Sequence, residues 1–149
     1  MFPGTVGIFE CLECGERFEA CTVGSDVYGS FPCRTAISDE GFAITLEEAT
    51  FREVSDAVDT PAYLASPKER RGTVFLLVLQ TLLDQPVPGD WLLVDVHPRC
   101  PKCGKRNSNF ADTVESSSCQ IPVVRFEKWA GLDEQTRRAV VDDVLATLL

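Results

Sequence analysis

Apolar and polar positions change rhythm several times along the chain, and each change marks an element. Val6 to Glu10 and Arg17 to Val23 read as two strands, the second with Phe18, Ala20 and Thr22 in alternation, joined by a short turn. Gly24 to Pro32 is rich in Gly, Ser and Asp and reads as a loop, and Phe42-Ala43-Ile44 as a short strand. Thr45-Leu46-Glu47-Glu48 matches a capping box and predicts a helix over 46–58, with Val54, Ala57 and Val58 near one face and Asp59-Thr60-Pro61 ending it. Ser66-Pro67-Lys68-Glu69 is a second such box, with proline at the favoured first helical position, and predicts a helix over 67–85. Apolar side chains nearly surround its middle, from Val74 to Leu83, which predicts a central buried helix that Gly72 weakens. Pro86 to Asp90 is a turn and Trp91 to Val96 a strand. Lys105 to Ser118 is polar and reads as a long loop, Ile121 to Phe126 as a strand. A helix over 133–148 carries Val140, Val141, Val144, Leu145 and Leu148 as its apolar stripe. The expected fold class is α+β: one domain of β-hairpins with about three helices.

Composition bounds this picture. The chain has 149 residues, 44% hydrophobic and 25% charged, which suits one globular domain and excludes a low-complexity chain. The start, Met1-Phe2-Pro3-Gly4, has neither a basic region nor an apolar one, and no apolar run approaches membrane-spanning length, so a cytoplasmic protein is expected. Acids outnumber bases 23 to 14, a formal charge of -9, which argues against phosphate-backbone binding as the main job.

Seven cysteines stand against one histidine, an odd number that permits no fully paired disulfide framework. Four of them form two matched segments, Cys11-Leu12-Glu13-Cys14-Gly15 and Cys100-Pro101-Lys102-Cys103-Gly104. Each cysteine pair can fold as a knuckle that points both sulfurs at one ion, and the glycine after it can take the positive φ that turns backbone N–H groups toward the thiolates. Four thiolates make a closed tetrahedral shell suited to one structural Zn²⁺. Cys21, Cys33, Cys119 and His97 enlarge the pool of ligands to eight, enough for a second site or a substituted one, although isolated cysteines are more often small buried hydrophobes. His97, before Pro98, reads as structural.

These knuckles resemble the zinc-ribbon class, over about ten residues around each. The resemblance implies two knuckled hairpins gripping a structural zinc. About 85 residues separate the knuckles where ribbons have far fewer, yet lengthening the loop from about 15 residues costs only about 1.5 kcal/mol. Zinc, which contributes about 10 to 16 kcal/mol in small peptides, outweighs that cost. The intervening segment is therefore expected to be a folded helical body, 39–90, with the metal as a clasp at its base.

Charge is uneven. Glu10, Glu13, Glu16 and Glu19 flank the first knuckle against Arg17 alone, whereas Arg99, Lys102, Lys105 and Arg106 flank the second with no acid between them, so mutual neutralisation is expected. Asp39, Glu40, Glu47, Glu48, Glu53, Asp56 and Asp59 stand against Arg52 alone and form the candidate docking face for a basic protein. No glycine-rich phosphate loop or nucleophile elbow is present, and Cys33 with His97 is the one conceivable dyad. The expectation is a non-enzymatic interaction module, in its sharpest form an immunity-type inhibitor of a toxin or nuclease. A nucleic-acid adaptor using the basic knuckle and a thiol redox enzyme are the alternatives.

Overall fold

The computed structural model describes residues 1–24, 30–45 and 49–149. It is α+β, and its chain divides into a strand-rich unit, 1–45 with 85–124, and a helical unit, 46–84 with 125–149.

The strand-rich unit holds two three-stranded antiparallel sheets. In the first, β1 (Phe2–Cys11) lies between β2 (Arg17–Thr22) and β6 (Ser108–Ile121). The register sets Phe9 opposite Phe18 on one side and Phe110 on the other, so three aromatic rings cross the sheet with centroids 5.8 and 5.7 Å apart. Such cross-strand pairs stabilise a sheet by their packing, and Phe9 is almost wholly buried between its neighbours. In the second sheet, β3 (Ser30–Thr35) lies between β4 (Gly41–Thr45) and β5 (Leu92–Val94). Phe42, Ala43 and Ile44 of β4 are all buried, and residues 122–124 run beside that strand, exchanging backbone bonds with Ala43 at 2.9 and 2.8 Å.

Three expectations about this unit are corrected. The polar stretch after Lys105 is no loop but most of β6, which pairs with β1 from Cys11 to Phe2 while a bulge at Val114 to Ser117 stands opposite Val6. Backbone pairing holds it, since most of its side chains face solvent, and so it lacks the apolar alternation that marks a half-buried strand. The strand expected at 121–126 is the end of β6 followed by the short pairing with Ala43. Of the expected loop at Gly24 to Pro32, the last three residues belong to β3.

In the helical unit, α1 (Ala49–Val58), α3 (Lys68–Leu82) and α5 (Glu134–Leu148) correspond to the three expected helices, and the start of the first, with its Glu48 cap, lies outside the described residues. Val54 and Val58 of α1, Val74, Val78, Leu79 and Leu82 of α3, and Val141 and Leu145 of α5 are buried. The rings of Phe51 and Phe75 meet edge to face at 5.1 Å. Two short helices are additional: α2 (Pro61–Ala65) and α4 (Glu127–Ala130). The second capping box does not form. Ser66 closes α2 by donating its hydroxyl to the Tyr63 carbonyl, and Pro67, not Ser66, stands at the N-cap of α3, with no side-chain cap. Nor is α3 buried on all sides, since Leu77 is 39% exposed. Asp133 caps α5, its carboxylate accepting from Thr136 N at 2.7 Å, and α4 supplies Trp129, buried with its indole N–H donated to Glu53 at 3.0 Å.

Candidate metal centre

The two knuckles are built alike. At the first, Cys11 N donates to Glu16 O at 2.9 Å and Gly15 N to Cys11 O at 2.9 Å. At the second, Cys100 N donates to Lys105 O at 3.0 Å and Gly104 N to Cys100 O at 2.8 Å. Gly15 and Gly104 take φ of 77° and 74°, a region where a side chain is strained, which is why glycine follows each pair. Leu12 N donates to Asn107 O at 2.8 Å and joins the two turns.

This arrangement brings Cys11, Cys14, Cys100 and Cys103 together, with all four sulfurs within 4.8 Å of one another. Cys11 and Cys103 lie 3.6 Å apart, as do Cys14 and Cys100, too far for a disulfide. A tetrahedron with metal–sulfur bonds of about 2.3 Å has edges of about 3.8 Å, so the spacing fits a single four-coordinate metal ion. Cys11 and Cys100 are buried and Cys14 and Cys103 exposed. The Cys14 backbone N–H, aimed at Cys11, lowers the Cys11 thiol to about 7. At Cys14 the Glu16 backbone alone would lower the thiol, but desolvation and the neighbouring thiols outweigh it and push it up to about 12. Four sulfurs so close cannot all ionise without a cation, and a metal ion resolves that conflict by replacing the protons.

Three of the four basic residues of the second knuckle are matched by acids, while the Arg99 guanidinium donates to the Ala36 carbonyl. Lys102 meets Glu16 at 4.0 Å, Lys105 meets Glu13 at 3.7 Å, and Arg106 meets Asp39 at 2.6 Å. The two lysine pairs are exposed and contribute little energy.

Of the expected docking residues, Asp39 turns inward. Its carboxylate accepts from Arg34 Nε at 3.0 Å, from Arg106, and from Arg99 N at 2.9 Å, at a φ of 57°. Glu53 is engaged by Trp129 and by Arg137 at 3.1 Å, and Arg137 also stacks over the indole. Glu40, Asp56 and Asp59 are exposed, and Glu47 and Glu48 lie outside the described residues. Asp39 and Glu40 belong to the strand-rich unit, and Glu53, Asp56 and Asp59 to the helical one.

The remaining cysteines divide. Cys33 is buried, as expected of a small hydrophobe, and desolvation pushes its thiol up to about 12. Cys21 and Cys119 instead form a disulfide, which corrects the reading of both as isolated thiols. Cys119 pairs in register with Gly4 and Cys21 with Val6, so the bridge joins β2 to β6 beside β1. A Cβ on Gly4 would lie 2.9 Å from the Cys21 sulfur and 2.7 Å from Ile121, so only glycine leaves room for it. His97 does not join the sulfurs; its Nδ1 bonds Ser108 O at 2.7 Å and its ring meets Phe9 edge to face.

Sequence reasoning also missed Asp90, a buried carboxylate that accepts from Ile37 N and Ser38 N at 2.8 Å each and from the Ser38 hydroxyl at 2.7 Å. Burial alone would raise its pKa, but these bonds outweigh burial and lower it. Within the turn from Pro86 to Asp90, no periodicity signals such a role. Comparisons with protein-family models, curated proteins and solved structures return no match, so the reading of this site rests on its geometry.

Proposed function

We propose that this chain is a zinc-stabilised, non-enzymatic module that binds a basic protein. The observation that carries the reading is the set of four sulfurs at tetrahedral spacing. Zinc prefers such a thiolate set, and four protein ligands leave no open position for a water or a substrate, so the ion's work is structural. Cys11 and Cys14 would hold it from the first knuckle and Cys100 and Cys103 from the second, in the manner of a zinc ribbon.

Recognition then falls to the surface. The formal charge is -9 before four thiolates and one Zn²⁺ add a further -2, and Lys102, Lys105 and Arg106 of the second knuckle are matched by Glu16, Glu13 and Asp39. A surface of one dominant sign speeds encounter with a partner of the other sign and disfavours acidic competitors such as nucleic acid. In its sharpest form the module is an immunity-type inhibitor of a basic toxin or nuclease.

The test is titration of zinc-loaded protein with an arginine-rich peptide, an acidic peptide and a DNA duplex at low and moderate salt. Saturable binding of the basic peptide alone is expected. Binding of the duplex, weakening steeply with salt, would instead favour a nucleic-acid adaptor.

A further inference from the structure

The strand-rich unit contains a recess of about 250 Å³ whose lining includes Phe9, Phe31, Phe110, Asp95 and His97. That is below the roughly 300–1,000 Å³ of sites for drug-sized molecules and suits a single side chain. Of its rings, Phe9 is almost wholly buried, Phe110 is 38% exposed and Phe31 half-buried. The faces of aromatic rings carry negative potential and attract cations.

Asp95 and His97 both favour a positively charged donor. Asp95 is exposed, and its carboxylate has no hydrogen bond or ion pair among the described residues. It is held at a φ of 57°, one of two non-glycine residues at positive φ among those described, and its backbone N–H is fixed to Pro32 O at 2.7 Å. The Ser108 carbonyl at His97 Nδ1 can only accept, so in the neutral ring Nδ1 carries the proton and Nε2 is left as an acceptor. No lysine or arginine lines the recess among the described residues. Three rings, a carboxylate and an imidazole lone pair all favour a positively charged donor, and the Thr22 and Ser30 hydroxyls that complete the polar lining serve either sign, so the only formal charge on the lining among the described residues is negative.

We infer that this recess is a pocket for the cationic side chain of a lysine or arginine on the basic partner, an assignment that rests on the reading of the chain as a binder of basic protein. Phe9, Phe31 and Phe110 take the alkyl stem and the face of the cation, and Asp95 takes the charge. Guanidinium, planar and weakly hydrated, stacks on aromatic faces better than ammonium, so arginine is the preferred occupant.

The experiment is an NMR titration of the zinc-loaded protein, following the phenylalanine ring resonances. The probes are Nα-acetyl-arginine methylamide and its neutral counterpart built on citrulline. The arginine compound should shift the Phe9, Phe31 and Phe110 signals saturably, with citrulline binding at least five-fold more weakly. Asp95→Asn is the informative variant, because asparagine accepts positive φ and so removes the charge while keeping the backbone. It should weaken arginine binding several-fold at unchanged thermal stability and zinc content, and Phe31→Ala should weaken it independently. Equal binding of the two probes, shifts confined to other residues, or an Asp95→Asn variant that binds as wild type would each overturn the assignment. An arginine-rich peptide that binds wild type and Asp95→Asn equally well would overturn the pocket and leave the basic-partner reading standing. A peptide that binds neither protein would remove both.

Discussion

Removing the Cys21–Cys119 disulfide should destabilise the protein by an amount that depends on whether metal stays on the unfolded chain. The bridge closes a sequence separation of 98 residues, and constraining a loop of that length in the unfolded chain stabilises the fold by about 4.7 kcal/mol. If the ion keeps the knuckles joined after unfolding, the ring shortens to roughly 23 residues, from Cys14 to Cys21 and from Cys103 to Cys119, and the contribution falls to about 3.4 kcal/mol. The assay is guanidinium unfolding of zinc-loaded wild type, of wild type reduced with a phosphine, and of a Cys21→Ala/Cys119→Ala double variant. Alanine leaves no new polar group beside Val23, Ala43 and Ile121, the buried cluster against which Cys21 packs. Both reduction and substitution should lower stability by about 3 to 5 kcal/mol. Seven reactive thiols in metal-free, unfolded wild type, or a loss below about 1 kcal/mol in both arms, would refute the reasoning.

Two further outcomes follow from local geometry. Gly72 lies inside α3, and a Cβ there meets nothing within 4 Å, so Gly72→Ala should stabilise by about 0.5 to 1 kcal/mol and raise the midpoint of a thermal melt. For Asp90 and Asp133 the bonds to backbone N–H groups hold the carboxyl pKa below its ordinary value, against burial at Asp90 and reinforced by Arg137 at Asp133. Their folded-state pKa is depressed, so the stability they contribute is present above the unfolded value near 4 and is lost as pH falls through the folded one. Carboxyl-carbon NMR titration should show both midpoints below those of exposed aspartates; midpoints at or above the ordinary value would contradict the hydrogen-bond assignment.

What was legible in the sequence depended on how local its cause is. Each knuckle is a five-residue pattern whose cysteine spacing and glycine are sufficient in themselves, so the cluster of four cysteines was readable without knowledge of the fold. The helix over 134–148 was readable because Val141 and Leu145 recur at helical spacing with polar residues between them. Ser66 misled because hydroxyls serve both ends of helices, and here the carbonyl of Tyr63 had the prior claim. β6 was hidden because its stability comes from backbone pairing with β1, leaving a run of Ser, Thr, Asn and Asp with no alternation to read. That miss concealed the disulfide as well. Cys119 is placed beside Cys21 only once β6 is known to pair with β1 through Gly4. The acidic segment from Asp39 to Asp59 carried the same weakness: net charge is visible in sequence, but the inward turn of Asp39 toward Arg34 and Arg106 is a tertiary event.

We propose that Cys11, Cys14, Cys100 and Cys103 hold one structural zinc ion. Native mass spectrometry of protein purified with zinc present, wild type beside Cys100→Ser and Cys33→Ala, tests it most directly. One zinc per chain is expected in wild type and in Cys33→Ala, and none in Cys100→Ser. A wild-type chain that carries no zinc, or a Cys100→Ser chain that keeps a full equivalent, would contradict it.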